Sequence, residues 1–161
     1  MRRIFALIMA VGLMAALLAL PATASAKAEF TEYTGTEYAT GMPTDMVTRV
    51  SGPVFHYSHV MVFYDDTSDW RTTGYSTVVM NWTTKDWMSG HIWGTYRTEL
   101  EGSDGAWEGT WTGKMVDGVP FFKVVGHGSG VLDGLKMMAN YEGTSPTTIG
   151  IEGRILDPHG S

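Results

Sequence analysis

One predicted strand carries the residues best suited to chemistry. His91, Arg97 and Glu99 occupy alternating positions of the run 90–100, and Trp93 lies among them. Successive side chains of a strand point to opposite faces, so these four share one face. An imidazole, a guanidinium and a carboxylate on one face could orient a ligand by hydrogen bonds or transfer protons.

The direction of that face leaves two interpretations open. If it points into a barrel, Asn81 of the preceding strand joins it, and the face lines a small-ligand site with apolar walls. Arg97 and Glu99 must then pair, because buried charges need partners. If the face points outward, the same two residues form a solvated ion pair, the commoner place for charged side chains.

The elements that position these residues form a hairpin. The run 90–100 and the run 106–113 flank a turn rich in Gly, Ser and Asp. In the second run Trp107 and Trp111 alternate with glycines. Glycine weakens a strand, so its repetition indicates strong bending or close backbone approach. We therefore predict a small closed antiparallel barrel, with Trp107 and Trp111 as further candidates to line its cavity.

The remaining chain also has the pattern of an all-β protein. Turn signals recur about every ten to fifteen residues, and no stretch keeps a helical period over ten or more residues. Seven to nine strands are expected, hence a barrel of about eight. Segment 131–142 is predicted as a strand, residues 65–69 as an acidic loop, and residues 126–130 as a glycine-rich segment that serves barrel curvature.

The N-terminus has the features of a secretory signal peptide. A basic start is followed by the apolar run 4–20 and by the small-residue site Ala24-Ser25-Ala26. We predict cleavage near Ala26 and export to the periplasm or the extracellular space. Residues 27–161 are then expected to form a single barrel domain. No later run is apolar for long enough to anchor the chain in a membrane.

Charge and composition exclude several function classes. The formal net charge is −6, and loss of Arg2 and Arg3 with the signal peptide changes it to −8. Such an acidic domain is not expected to bind nucleic acid or anionic membranes. The chain has no cysteine, which excludes thiol catalysis and thiolate metal sites.

Two groups of residues were considered as metal ligands. His56 and His59 are three apart, so on a strand they point to opposite faces. Asp65, Asp66 and Asp69 offer oxygen ligands without the spacing of a calcium-binding loop. We expect both groups to be ordinary surface features, and we predict neither a metal ion nor a cofactor.

The order of glycines and aromatic residues resembles a known group of barrels. The sequence has Asp69-Trp70-Arg71-Thr72-Thr73-Gly74, then Gly105-x-Trp107-x-Gly109-x-Trp111-x-Gly113, then Gly126-x-Gly128-x-Gly130. This order resembles the small barrels related to allene oxide cyclase and the dirigent proteins. The resemblance implies an eight-stranded, calycin-like barrel with an apolar cavity and assembly into homo-oligomers such as trimers. It supplies no catalytic motif that matches residue by residue.

Two functions are therefore expected at this point. The first is an exported barrel that binds a small apolar molecule or assembles with copies of itself, without a catalytic constellation. The alternative, implied by the resemblance, is a cyclase or isomerase that confines a reactive substrate inside the barrel.

Overall fold

A computed structural model describes residues 27–145 and 148–160 and consists of strands joined by short turns. The predicted signal peptide, residues 1–26, lies outside the described residues. The strands are β1 (Glu29–Ala39), β2 (Thr44–Ser51), β3 (Val54–Thr67), β4 (Gly74–Thr84), β5 (Gly90–Leu100), β6 (Gly105–Val116), β7 (Val119–Gly130), β8 (Lys136–Ser145) and β9 (Thr148–Asp157), with one 3₁₀ turn at Trp70–Thr72. Within the described ranges, no helix has the length and apolar character needed to cross a membrane.

Eight of the nine strands form a closed ring. From β3 to β9 each strand pairs antiparallel with the next along the chain. The ring closes because β1 pairs with β9 on one side and with the last residues of β3 on the other. The additional strand β2 lies outside the ring, against the first half of β3. The predicted all-β class and the closed antiparallel barrel of about eight strands are confirmed.

Pairs of glycine and aromatic residues explain the rhythm of the sequence. In five residue pairs on neighbouring strands, an inward-facing aromatic side chain lies directly opposite an inward-facing glycine. The pairs are Tyr33 with Gly153, Tyr96 with Gly109, Trp111 with Gly94, Phe122 with Gly113, and Trp107 with Gly128. A Cβ atom at Gly94 would lie 1.7 Å from the Val79 carbonyl oxygen. The glycines therefore give the large rings room inside a narrow, strongly curved barrel.

One end of the barrel is filled by side chains. Trp107 and Leu132 are fully buried there. The indole Nε1 of Trp107 donates a hydrogen bond of 2.6 Å to the Arg71 carbonyl oxygen in the 3₁₀ turn. Asp69 caps that turn by accepting from the Arg71 backbone N–H, and its carboxylate also pairs with the Arg71 guanidinium at 2.6 Å. These contacts close this end of the barrel.

Three boundaries differ from the sequence-based expectation. Strand β3 runs through Thr67, so Asp65 belongs to the barrel wall and not to a loop. The sequence pattern predicts a short strand that ends at Val125, before the glycines, whereas residues 126–130 continue that strand as the second half of β7. Residues 131–134 form a turn, and β8 begins only at Lys136, because Leu132 turns into the filled end of the barrel.

Candidate functional site

The polar face of β5 points outward. The side chains of Arg97 and Glu99 are 49% and 70% exposed, and His91 and Trp93 are also exposed. The inward orientation considered for these residues is therefore wrong. Strand alternation does place them on one face, as predicted, but the inward positions of β5 belong to its even-numbered residues, since Ile92 is fully buried there.

The outward residues form contacts of the kind expected at a surface. Arg97 pairs with Glu99, with 3.3 Å between Nε and Oε1, and also contacts Glu108 on β6. The His91 and Trp93 rings stack with their centroids 5.0 Å apart. Asn81 donates to the Trp93 carbonyl oxygen at 3.3 Å. The structure thus brings Asn81, His91 and Trp93 together along a shallow depression on the outer surface.

The two tryptophans of β6 face inward, as the barrel interpretation requires, but they have different surroundings. Trp107 lies in the filled end of the barrel. Trp111 is 4% exposed and lines an interior cavity. Of the seven residues predicted to bind a ligand, only Trp111 borders this cavity.

The cavity occupies the other half of the barrel and has a volume of about 330 Å³. It extends to the end of the barrel formed by the β4–β5 and β6–β7 turns, which contribute Trp87 and Gly118. Its walls are mainly apolar and aromatic, with side chains such as Met61, Met80, Trp82, Met115, Phe122 and Ile149. A cavity of this size and composition suits a small, largely apolar molecule.

Two carboxyl groups lie at the inner boundary of the cavity. Glu37 of β1 and Asp65 of β3 are direct partners in the register that closes the barrel, and both are buried. Glu37 lines the cavity together with Ser76 of β4. The Ser76 hydroxyl donates to Asp65 Oδ2 at 2.5 Å and lies 2.6 Å from the Thr98 hydroxyl. A chain of polar groups therefore crosses β1, β3, β4 and β5.

Burial makes these carboxyl groups weak acids. Desolvation, followed by the nearby Asp65, raises the pKa of Glu37 well above its usual value. Desolvation also raises the pKa of Asp65, to about 6, although the hydrogen bond from Ser76 acts in the opposite direction. The two groups interact, so they titrate as a pair, and burial favours the states in which the pair holds a proton.

Several buried polar atoms around the cavity have no hydrogen-bond partner among the described residues. They include Nδ1 of His59, the Tyr96 hydroxyl and Nε1 of Trp111, whose side chains all line the cavity, and Oδ1 of Asp65 at its inner boundary. Buried polar groups usually have partners, so such atoms are places where a bound molecule could form hydrogen bonds.

The cavity contains no basic side chain that stays charged. Neither Lys nor Arg is among the described residues that line it. Burial lowers the pKa of His59, which favours the neutral imidazole. Among the described residues that line the cavity or adjoin it, the full charge that a ligand can meet is therefore the negative charge of the Glu37–Asp65 pair.

The interior positions of Glu37, Asp65 and His59 are not among those predicted from the sequence pattern. Asp65 and His59 were interpreted as surface features, which is wrong, because both are buried and face inward. His56 is exposed, so the two histidines do lie on opposite faces of β3, as predicted. The interior position of Glu37 could have been inferred from its spacing, because Tyr33, Gly35 and Glu37 alternate along one strand and therefore share a face.

Compared with known proteins, the chain matches no family model and no curated protein. The resemblance to allene oxide cyclase and dirigent barrels stays a prediction, and the function is argued from the cavity itself.

Proposed function

We propose that this barrel binds a small, predominantly apolar molecule in its interior cavity. The observation that carries the proposal is a cavity of about 330 Å³ whose apolar and aromatic walls end at the buried Glu37–Asp65 pair. Apolar walls favour burial of an apolar ligand, and a few polar groups at one end fix its orientation. Three larger depressions lie on the outer surface and are more open to solvent, which makes them weaker sites.

Adjacent valines on β4 provide a matched test. Val78 faces the cavity, whereas Val79 is on the outer surface. Val78→Phe should fill part of the cavity, and Val79→Phe should leave it open. Titration of 1-octanol by calorimetry is expected to show one saturable site in the wild type and in Val79→Phe, and loss of that site in Val78→Phe. Equal binding to all three proteins would contradict an interior site.

A catalytic role is the second candidate, and the buried carboxyl pair is the observation that favours it. A protonated Glu37 beside Asp65 could donate a proton to a confined molecule and take one back at another position, as in an isomerisation. The experiment is to identify a hydrophobe that co-purifies with the protein from its native host and to incubate it with fresh protein. A binding protein returns this molecule unchanged, whereas an enzyme converts it.

Assembly with further copies is a separate part of the proposal, and strand β2 favours it. All eight of its residues are exposed, among them Met46, Val47 and Val50. Edge strands present backbone groups that another strand can pair with.

Export, which residues 1–26 predict, also belongs to this proposal. N-terminal sequencing of protein from the native host tests cleavage after Ala26.

A further inference from the structure

The most buried acidic pair of the barrel has no cation beside it. The hydrogen-bond partners of Asp65 are the Ser76 hydroxyl, which also contacts Thr98, and the Glu37 carboxyl itself, so none of them is a cation. The ion pairs found among the described residues are Arg71 with Asp69, and Arg97 with Glu99 and Glu108, so none includes Glu37 or Asp65. Buried charges are normally paired with a cation, whereas Glu37 of this pair borders open cavity space and Asp65 lies directly opposite it in the strand register.

We propose that the cavity takes a hydrophobic amine, whose nitrogen reaches Glu37 and Asp65 and whose apolar part fills the space beyond them. This inference rests on the proposed binding function and narrows its ligand class.

Proton transfer between the carboxyl pair and the amine needs no further reactant. A neutral amine that enters the cavity takes the proton that the carboxyl pair holds: the O–H bond breaks, an N–H bond forms, and an ammonium–carboxylate pair results. The carboxylate oxygens can then accept charge-assisted hydrogen bonds. Glu37, which lines the cavity, is the carboxyl group that such a nitrogen meets directly, and Asp65 lies opposite it in the strand register.

The groups around the pair suit a cation better than an anion. The rings of Tyr96 and Tyr141 line the cavity within electrostatic range of Asp65, and aromatic rings can interact with a positive charge through their faces. The other titratable groups near the pair are the hydroxyls of Tyr33, Tyr96 and Tyr141, which burial keeps neutral by raising their pKa values. His59 lies six residues before Asp65 on β3, and burial lowers its pKa. A carboxylate ligand would meet a negative charge and no basic partner here.

Three ligands of equal chain length test this inference. Octylamine, 1-octanol and octanoate are titrated into the purified protein at pH 7.5 and followed by calorimetry. Octylamine is expected to bind about ten-fold more tightly than 1-octanol. A hydrogen bond to a charged group contributes more binding free energy than a neutral one, and the usual difference corresponds to about ten-fold in Kd. Octanoate is expected to bind most weakly.

Variants test whether Glu37 and Asp65 cause the preference for octylamine over 1-octanol. Glu37→Gln with Asp65→Asn keeps the shape of both side chains and should abolish the preference for the amine while 1-octanol still binds. Asp66→Asn changes the adjacent, outward-facing carboxylate and should preserve the preference. Retention of the preference in the double variant would overturn the role of the pair.

A second measurement needs no variant. Octylamine should move the ¹³C carboxyl resonances of Glu37 and Asp65 in the wild-type protein toward the ionised positions, and unchanged resonances with saturating amine would overturn the inference. Binding of 1-octanol without preference for octylamine contradicts the inference alone and leaves the binding function intact. Failure of all three ligands to bind contradicts both.

Discussion

Glu37 on β1 lies directly opposite Asp65 on β3, at the pair of strands that closes the barrel. Two acids at this position repel each other when both are ionised, and neither has a basic partner among the described residues. The arrangement costs stability in the empty protein. Buried ionisable groups without a partner of opposite charge recur beside cavities at binding and catalytic sites, because a bound molecule can satisfy them there.

The first prediction concerns pH. The raised pKa values mean that the folded state holds protons on Glu37 and Asp65 more tightly than the unfolded state does. Their favourable contribution is complete below about pH 4 and is lost as pH rises through about 6, where Asp65 ionises. The raised pKa of Glu37 acts in the same direction. A shift of the size found for Asp65 corresponds to about 3 kcal/mol.

Chemical unfolding at pH values from 4 to 8 measures this effect. The wild type should lose stability over the range relative to the variant with both Glu37→Gln and Asp65→Asn, which lacks the two titrations. Asp66→Asn, on the outer face of the same strand, should follow the wild type. Parallel curves for the wild type and the double variant would show that the pair is not buried in an acidic form.

The second prediction concerns the glycine and aromatic pairs. An added methyl group at Gly94 would collide with the Val79 carbonyl oxygen and would lie 2.9 Å from Trp111 Nε1. Gly94→Ala should therefore lower the free energy of unfolding by about 1–3 kcal/mol, the usual cost of overpacking. Gly41→Ala is the control, because nothing lies within 4 Å of a Cβ at that position. Equal melting temperatures for the two variants would refute the role given to Gly94.

The third prediction concerns the outward ion pair of β5. Because the Glu99 side chain is 70% exposed, Glu99→Ala should cost less than about 1 kcal/mol. A buried pair would instead lose about 3–5 kcal/mol, as the inward interpretation of the sequence implies. Thermal unfolding of Glu99→Ala distinguishes the two values, and a large loss would mean that the β5 polar face is not solvated.

The fourth prediction concerns assembly through β2. If β2 pairs with a second copy, Val47→Lys should shift the protein toward the monomer, because a charge on an edge strand opposes further pairing. Light scattering over a range of concentrations measures this change. Val125→Lys, on the exposed outer face of β7, is the control. A wild type that is monomeric at every concentration would end the proposal of self-assembly.

The sequence was sufficient for the fold class but not for the site. Alternation of Trp107, Gly109 and Trp111 predicts a curved, closed sheet, because glycine has few other reasons to recur in a strand. The same alternation places Arg97 and Glu99 on one face but cannot decide between the two faces of the barrel. That decision depends on Ile92 and Tyr96, which occupy the interior.

Glu37 and Asp65 illustrate a second limit of sequence analysis. Charged residues are usually exposed, and Asp65 lies in a run of acidic residues that is typical of a loop. Their proximity depends on the long-range closure of β1 against β3, which brings together positions far apart in the sequence. No local pattern contains that information.

The central claim, an interior binding site, is tested most directly by crystallising the protein with a ligand and locating that ligand. The bromine atom of 8-bromo-1-octanol can be placed from its anomalous signal without reference to any model of the ligand. We predict a bromine position inside the barrel, among the side chains of Met80, Trp111 and Phe122. A bromine position only on the outer depression beside His91 and Trp93, or none at saturating ligand, would contradict the account.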